Sequence, residues 1–121
     1  MAWYVPRTLR CLTQIWRTAE AVLAAGTDMV LEIGLIQQHQ RNAFYKRMGP
    51  WAAHMVVYVL DAPREVRRAR VSQRNADKGE TYSMEVPPHI FELASDLWQP
   101  PDEAECAEHP VVFVPMAEHT P

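Results

Sequence analysis

Three short runs rich in β-branched and aromatic residues constrain this chain most: DMVLEIG at 28–34, HMVVYVL at 54–60 and VVFV at 111–114. The intervals between them are patterned as helices and are far too long for hairpin turns. Antiparallel neighbours close through tight turns, whereas parallel neighbours need a crossover of a dozen or more residues. The runs therefore predict an α/β fold with about three parallel strands covered by helices. The first run is nearly continuous in apolar residues, as expected of a strand buried on both faces. With 121 residues the chain has room for one hydrophobic core. We expect a single domain over 1–121, in which the acidic segment 102–109 is a linker to the last strand.

The helical intervals have their own punctuation. Leu9, Leu12, Ile15, Trp16, Ala19, Val22 and Leu23 recur at three-and-four spacing, which predicts an amphipathic helix with Thr8 as N-cap and Gly26 as stop. Residues 37–48 predict a second helix ending at Gly49-Pro50, its polar face holding Gln38, Arg41 and Arg47. Asp61 is placed to cap a third, with Pro63 in its first turn and an end near Lys78. On that helix Arg67, Arg70 and Arg74 share one stripe, and Ala62, Val66, Ala69 and Ala76 share the adjoining apolar one. Residues 75–83 read as a mobile loop around Gly79. Pro87-Pro88 then opens a helix that buries Ile90, Phe91, Ala94, Leu97 and Trp98, and Gln99-Pro100-Pro101 ends it.

Composition narrows the function classes. The formal net charge is −3, which gives no general reason for a nucleic-acid partner, and no apolar run approaches the ~20 residues of a membrane span. The first residues do not have the pattern of an export or transit signal. Cys11 and Cys106 are far apart, so a reducing, cytoplasmic setting is expected and a disulfide framework is not. Cys106-x-x-His109 amounts to half a metal site in an acidic stretch; the reading as a solvated acidic loop is preferred, and no metal held by protein ligands alone is expected.

In open parallel sheets ligands gather at the carboxyl ends of strands, which here carry Glu32 and Asp61. An acid in that position holds a magnesium-bound water or accepts a proton from an attacking hydroxyl; it also serves simply as a cap. The arginine stripe has two readings as well. Each planar guanidinium fork pairs with two phosphate oxygens, so three on one face suit a nucleoside triphosphate, while a solvated helix face needs no ligand at all. A phosphate-cradling loop is missing from these residues. Gly26, Gly34, Gly49 and Gly79 are isolated, and Lys46 and Lys78 follow Tyr45 and Asp77 rather than glycine. No nucleophile-elbow pattern is present, and the five histidines are scattered.

The segments VLEIGL and VVYVLDAPREVRRARVSQRNADKGETYSMEVPPHIFELASDLWQPPDE resemble the C-terminal portion of the bacterial AAA-like P-loop kinases related to zeta toxin and chloramphenicol phosphotransferase. The likeness spans about residues 9–103 and is most specific over 61–101, at its proline, arginine, Arg-Asn and Trp-x-Pro-Pro positions. It implies an incomplete P-loop NTPase-like three-layer fold and an ATP-dependent kinase that uses ATP and Mg2+ to phosphorylate a small-molecule hydroxyl. It also implies roles for particular residues: Glu32 at the second acidic motif, Arg67, Arg70 and Arg74 on the ATP phosphates, and Arg41 toward the substrate.

Two departures qualify that inheritance. Glu32 stands where relatives have aspartate, and relatives place a strand, the phosphate loop, a helix and a second strand upstream of anything here. Their first strand lies between the strands corresponding to 30–33 and 56–60, so without it two strands lose a shared neighbour. Exposed ladder edges then invite self-association and lower stability. The resemblance thus leads to an ATP-binding, kinase-like chain that does not transfer phosphate by itself. The rival reading is a protein-interaction module that uses the arginine helix and the exposed sheet edge. RNA binding ranks below both, because the arginine helix has no interleaved aromatics.

Overall fold

A computed structural model describes residues 3–115. The chain divides into two compact units, Met1–Gly34 and Leu35–Pro121. The first contains α1 (Tyr4–Ala24), followed by a stretch without regular secondary structure. The second contains α2 (Gln38–Arg47), a 3₁₀ segment (Gly49–His54), β1 (Val57–Leu60), α3 (Arg64–Asp77), α4 (Pro88–Leu97), α5 (Glu103–Glu108) and β2 (Val111–Val114).

Helix α1 starts one turn earlier than the Thr8 cap predicts. Pro6 falls in the first turn, where its missing N–H leaves nothing unsatisfied, and the Thr8 hydroxyl donates back to the Tyr4 carbonyl at 2.9 Å instead of capping. The stop at Gly26 is as expected. Gly26 takes φ +83°, its N–H reaches Leu23 O at 3.0 Å, and Thr27 N–H reaches Val22 O at 3.2 Å. That pair of bonds is a Schellman closure, which needs the left-handed residue that glycine supplies. Along α1, Trp16 and Ala19 are buried, whereas Leu9 and Ile15 remain exposed.

The first predicted strand does not form. Residues 28–34 join no ladder among the described residues, and Val30 is 95% exposed. An apolar, β-branched run favours extension, but a strand exists only when a neighbour takes its backbone groups. The sheet is accordingly small. β1 and β2 pair in parallel, Val57 opposite Val111 through Leu60 opposite Val114, giving two strands instead of about three. Side chains alternate across it. Val59 is buried on one face, while Tyr58 and Leu60 on the other are 65% and 78% exposed and sit beside exposed Val112 and Val114. Parallel sheets usually have both faces covered.

Three further expectations are corrected. Asp61 does not cap α3; Pro63 holds that position with no side-chain bond, its φ of −52° already close to helical. The apolar stripe of α3 is not its packed side, because Ala69 and Ala76 are exposed and the Arg67 and Arg68 guanidinium groups lie over Phe91 of α4 instead. The acidic linker is also ordered. Asp102 accepts the Glu105 N–H at 2.9 Å and starts α5, whose first turn carries Glu103 and Glu105 where the helix dipole favours acids. Asp102-x-x-Glu105 is capping-box spacing.

Candidate functional site

Five arginines project from α3, and their partners divide them into two groups. Arg64 donates to Glu92 at 3.2 Å and to Asp96 at 2.8 Å, and Arg68 Nε donates to Glu92 at 2.6 Å. Arg67 Nε donates to the Ala62 carbonyl at 3.0 Å and its Nη1 to Ser95 Oγ at 3.2 Å. The Arg67 and Arg68 guanidinium carbons lie 5.7 and 5.6 Å from the centre of the Phe91 ring, within cation–π range. These three residues bind α3 to α4. The Arg68 hydrogen bond holds the Glu92 carboxyl below the usual range, and Glu92 raises Arg68 in return.

Arg70 and Arg74 form the second group. Neither side chain has a hydrogen bond, ion pair or ring contact with any described residue. One turn apart, they present two guanidinium forks on the same side of α3. The stripe of three predicted from sequence is thus split, with Arg67 committed to the helix pair and Arg70 and Arg74 left over.

The loop that follows is fastened to α3 rather than mobile throughout. Asn75 Nδ2 donates to Val86 O at 2.8 Å, and Val86 N–H returns to Asn75 Oδ1 at 3.1 Å. A single side chain thereby satisfies a backbone donor and acceptor eleven residues away, as a strand neighbour would. Lys78 takes the left-handed conformation at φ 49° and closes α3 with its N–H on Arg74 O at 3.0 Å. Gly79 follows, and Tyr82 N–H returns to Gly79 O at 3.0 Å, which brings the Tyr82 ring within 5.9 Å of Lys78 Nζ.

Arg41 belongs to a different environment. Placed on a polar helix face by the sequence reading, it is instead 3% exposed, and each of its three guanidinium nitrogens has a hydrogen bond. Nε and Nη2 donate to the two Glu105 oxygens at 2.8 and 3.1 Å, Nη1 donates to Leu35 O at 3.0 Å, and the Trp98 ring lies 5.7 Å away. Tyr45 adds its hydroxyl to Glu105 at 2.7 Å, and the His109 ring stacks on Tyr45 at 3.6 Å. Burial alone pushes the Glu105 carboxyl up, but the bonds from Arg41 and Tyr45 outweigh it and leave Glu105 below the usual range. Burial, together with the bond to Glu105, pushes the Tyr45 phenol well above its ordinary value.

Sequence reasoning missed Glu105, Tyr45 and Asn75. Glu105 left a signal in its capping-box spacing to Asp102, and Asn75 in the Arg-Asn position of the resemblance. The Trp-x-Pro-Pro stretch also acquires a physical role. Trp98 flanks Arg41, and Gln99 braces the entry to α2 by donating its N–H to Ile36 O at 2.8 Å and accepting the Gln38 N–H at 3.0 Å. Pro101 is buried, and Asp102 begins α5.

Glu32 lies in the first unit with an exposed side chain. No group of three or more His, Cys, Asp or Glu side chains with metal-binding geometry occurs among the described residues. The donors present do not fit a protein-held magnesium ion. A shallow groove of about 620 Å³ runs along the end of α1 past Arg17, Val22 and Thr27, and its lining includes neither Glu32 nor any arginine of α2 or α3.

Helices and a small parallel sheet define an α/β protein, in which Arg70 and Arg74 have no side-chain partner among the described residues. The AAA domain family matches residues 1–101, so the chain belongs to that family. No curated protein and no solved structure matches it. The matched span includes α3 and α4 but ends before Glu105, the partner of Arg41.

Proposed function

We propose that this chain is the lid-bearing part of a nucleotide-binding, kinase-like domain, in which Arg70 and Arg74 hold the phosphates of ATP. Membership of the AAA domain family and the resemblance to zeta-toxin-type kinases support this reading. The observation that carries it is the division within α3: three arginines are committed to α4, and Arg70 and Arg74 have no partner among the described residues. Guanidinium forks one turn apart suit adjacent phosphate oxygens. Arg67 then acts by positioning, since it fixes α3 on α4. Arg41, buried on Glu105, is not part of this phosphate site, and Glu32 is retained as the candidate acid of the second acidic motif.

Phosphoryl transfer depends on positioning and charge neutralisation, and the sequence has no glycine-rich Gly-Lys-Ser/Thr loop to supply them. We therefore assign this chain nucleotide binding without turnover. Calorimetric titration with ATP tests it. The expected result is weak binding that the Arg70→Ala/Arg74→Ala double variant abolishes while its thermal unfolding stays unchanged. Equal binding by the double variant removes the basis of the proposal.

A second reading rests on the uncovered sheet face. Tyr58, Leu60, Val112 and Val114 form an exposed apolar strip, which favours a protein-interaction module or self-association through the sheet. Sedimentation of the wild type and of Leu60→Lys separates the readings: concentration-dependent association that Leu60→Lys removes supports the second.

A further inference from the structure

We propose that Lys78 and Tyr82 extend the Arg70–Arg74 site into one that distinguishes a nucleotide from a bare polyphosphate, with Tyr82 as the platform for the base. The inference rests on the anion-binding reading above and adds a specificity element to it.

Arg70 and Arg74 lie one turn apart on α3, and Lys78 follows four positions on as the residue that closes the helix. Lys78 closes that turn in a left-handed conformation, a backbone state that glycine occupies freely and lysine only at some cost. The next residue is Gly79, so a relaxed solution lay one position away. With lysine in that position, an ammonium group is carried around the corner of the helix to 5.9 Å from the Tyr82 ring. Tyr82 is half-buried and held by the turn from Gly79, while the far end of the loop is fastened by the two Asn75–Val86 bonds. A ring on a loop anchored at both ends offers a π-face without a large ordering cost on binding.

Acidic neighbours do not cancel the row. Asp77 accepts a bond from Gln73 Nε2 at 2.7 Å, and Glu80 is exposed to solvent. Guanidinium, ammonium and aromatic face thus succeed one another along α3 and its loop. That order matches a nucleoside polyphosphate, with phosphates on Arg70 and Arg74, the charge nearest the sugar on Lys78, and the base on Tyr82. Stacking on an aromatic side chain tolerates any base, so the preference is for nucleotides as a class.

The test compares ATP with inorganic tripolyphosphate, titrated into the whole chain at matched ionic strength. Wild type is expected to prefer ATP by roughly tenfold, the scale of one base–aromatic stack. Tyr82→Leu should bring that ratio close to one, and Tyr82→Phe should keep it, with circular dichroism melting showing both variants folded. If the two ligands bind wild type equally, or Tyr82→Leu leaves the ratio unchanged, the base platform is wrong although the anion site stands. If neither ligand binds, the anion site fails and the platform with it.

Discussion

Arg41 on α2 and the arginines of α3 are the same side chain in two settings, and what surrounds each determines what it does. On α2 the guanidinium is almost entirely removed from water, and every face is met by Glu105, the Leu35 carbonyl or the Trp98 ring. On α3, Arg64 and Arg68 pair with Glu92 and Asp96 in half-exposed geometry, and Arg70 and Arg74 have no side-chain partner among the described residues. A buried charge must be matched or it unfolds the region, whereas a hydrated one is free to wait for a ligand. Strong pairing therefore marks architecture here, and an absence of pairing marks the candidate site.

The sharpest way to break the contrast is to remove one partner of the buried pair. Arg41→Met should cost roughly 3–5 kcal/mol, because it leaves Glu105 buried and uncompensated. Urea unfolding would show this, and Arg41→Met/Glu105→Leu should recover part of the loss. An Arg41→Met protein as stable as the parent would mean that the α2–α5 pair contributes nothing.

Tyr45→Phe is a smaller perturbation. It removes one hydrogen bond to a charged acceptor, worth about 1.5–3 kcal/mol. The pH dependence has a definite sign on both sides. Glu105 is depressed in the folded chain, so its contribution is present above the ordinary carboxylate value of about 4.3 and is lost as pH falls below it. Tyr45 is raised, so its contribution is whole below about 10 and declines as pH rises beyond, once the unfolded phenol ionises. Melting temperatures of wild type and Tyr45→Phe should differ most between these two limits and converge toward either end of pH 3–11.

The exposed pairs should respond least. Glu92→Gln removes the charge that pairs with Arg68 and leaves Arg64 on Asp96, so any loss of stability should be small and should fade in high salt. A large, salt-independent loss would show that the α3–α4 pairs resemble the Arg41 pair after all. Glu92→Gln also leaves the α3 cations less neutralised, so ATP affinity should hold or rise slightly.

Much of the helical layout could be read from the residues themselves. The stop of α1 followed from Gly26, the opening of α4 from Pro87-Pro88, and the parallel order of 54–60 and 111–114 from the long interval between them. Local chemistry sufficed because caps, prolines and periodicity act within a turn or two of chain. Strand formation at 28–34 could not be read in this way, since its β-branched run says only that extension is favoured and not whether a neighbour is there to pair with it. The order within 102–109 was legible only in part, through the spacing of Asp102 and Glu105.

The arginines show where sequence stopped and tertiary structure took over. Helical spacing by itself determined that Arg67, Arg70 and Arg74 share a stripe, because the angle between successive side chains is fixed by the backbone. It could not divide that stripe, nor bury Arg41 against Glu105, because those outcomes depend on which residues from elsewhere in the chain arrive beside each guanidinium. Placement of α4 against α3 and α5 against α2 made those choices, since a charge keeps its water unless a partner from another element replaces it.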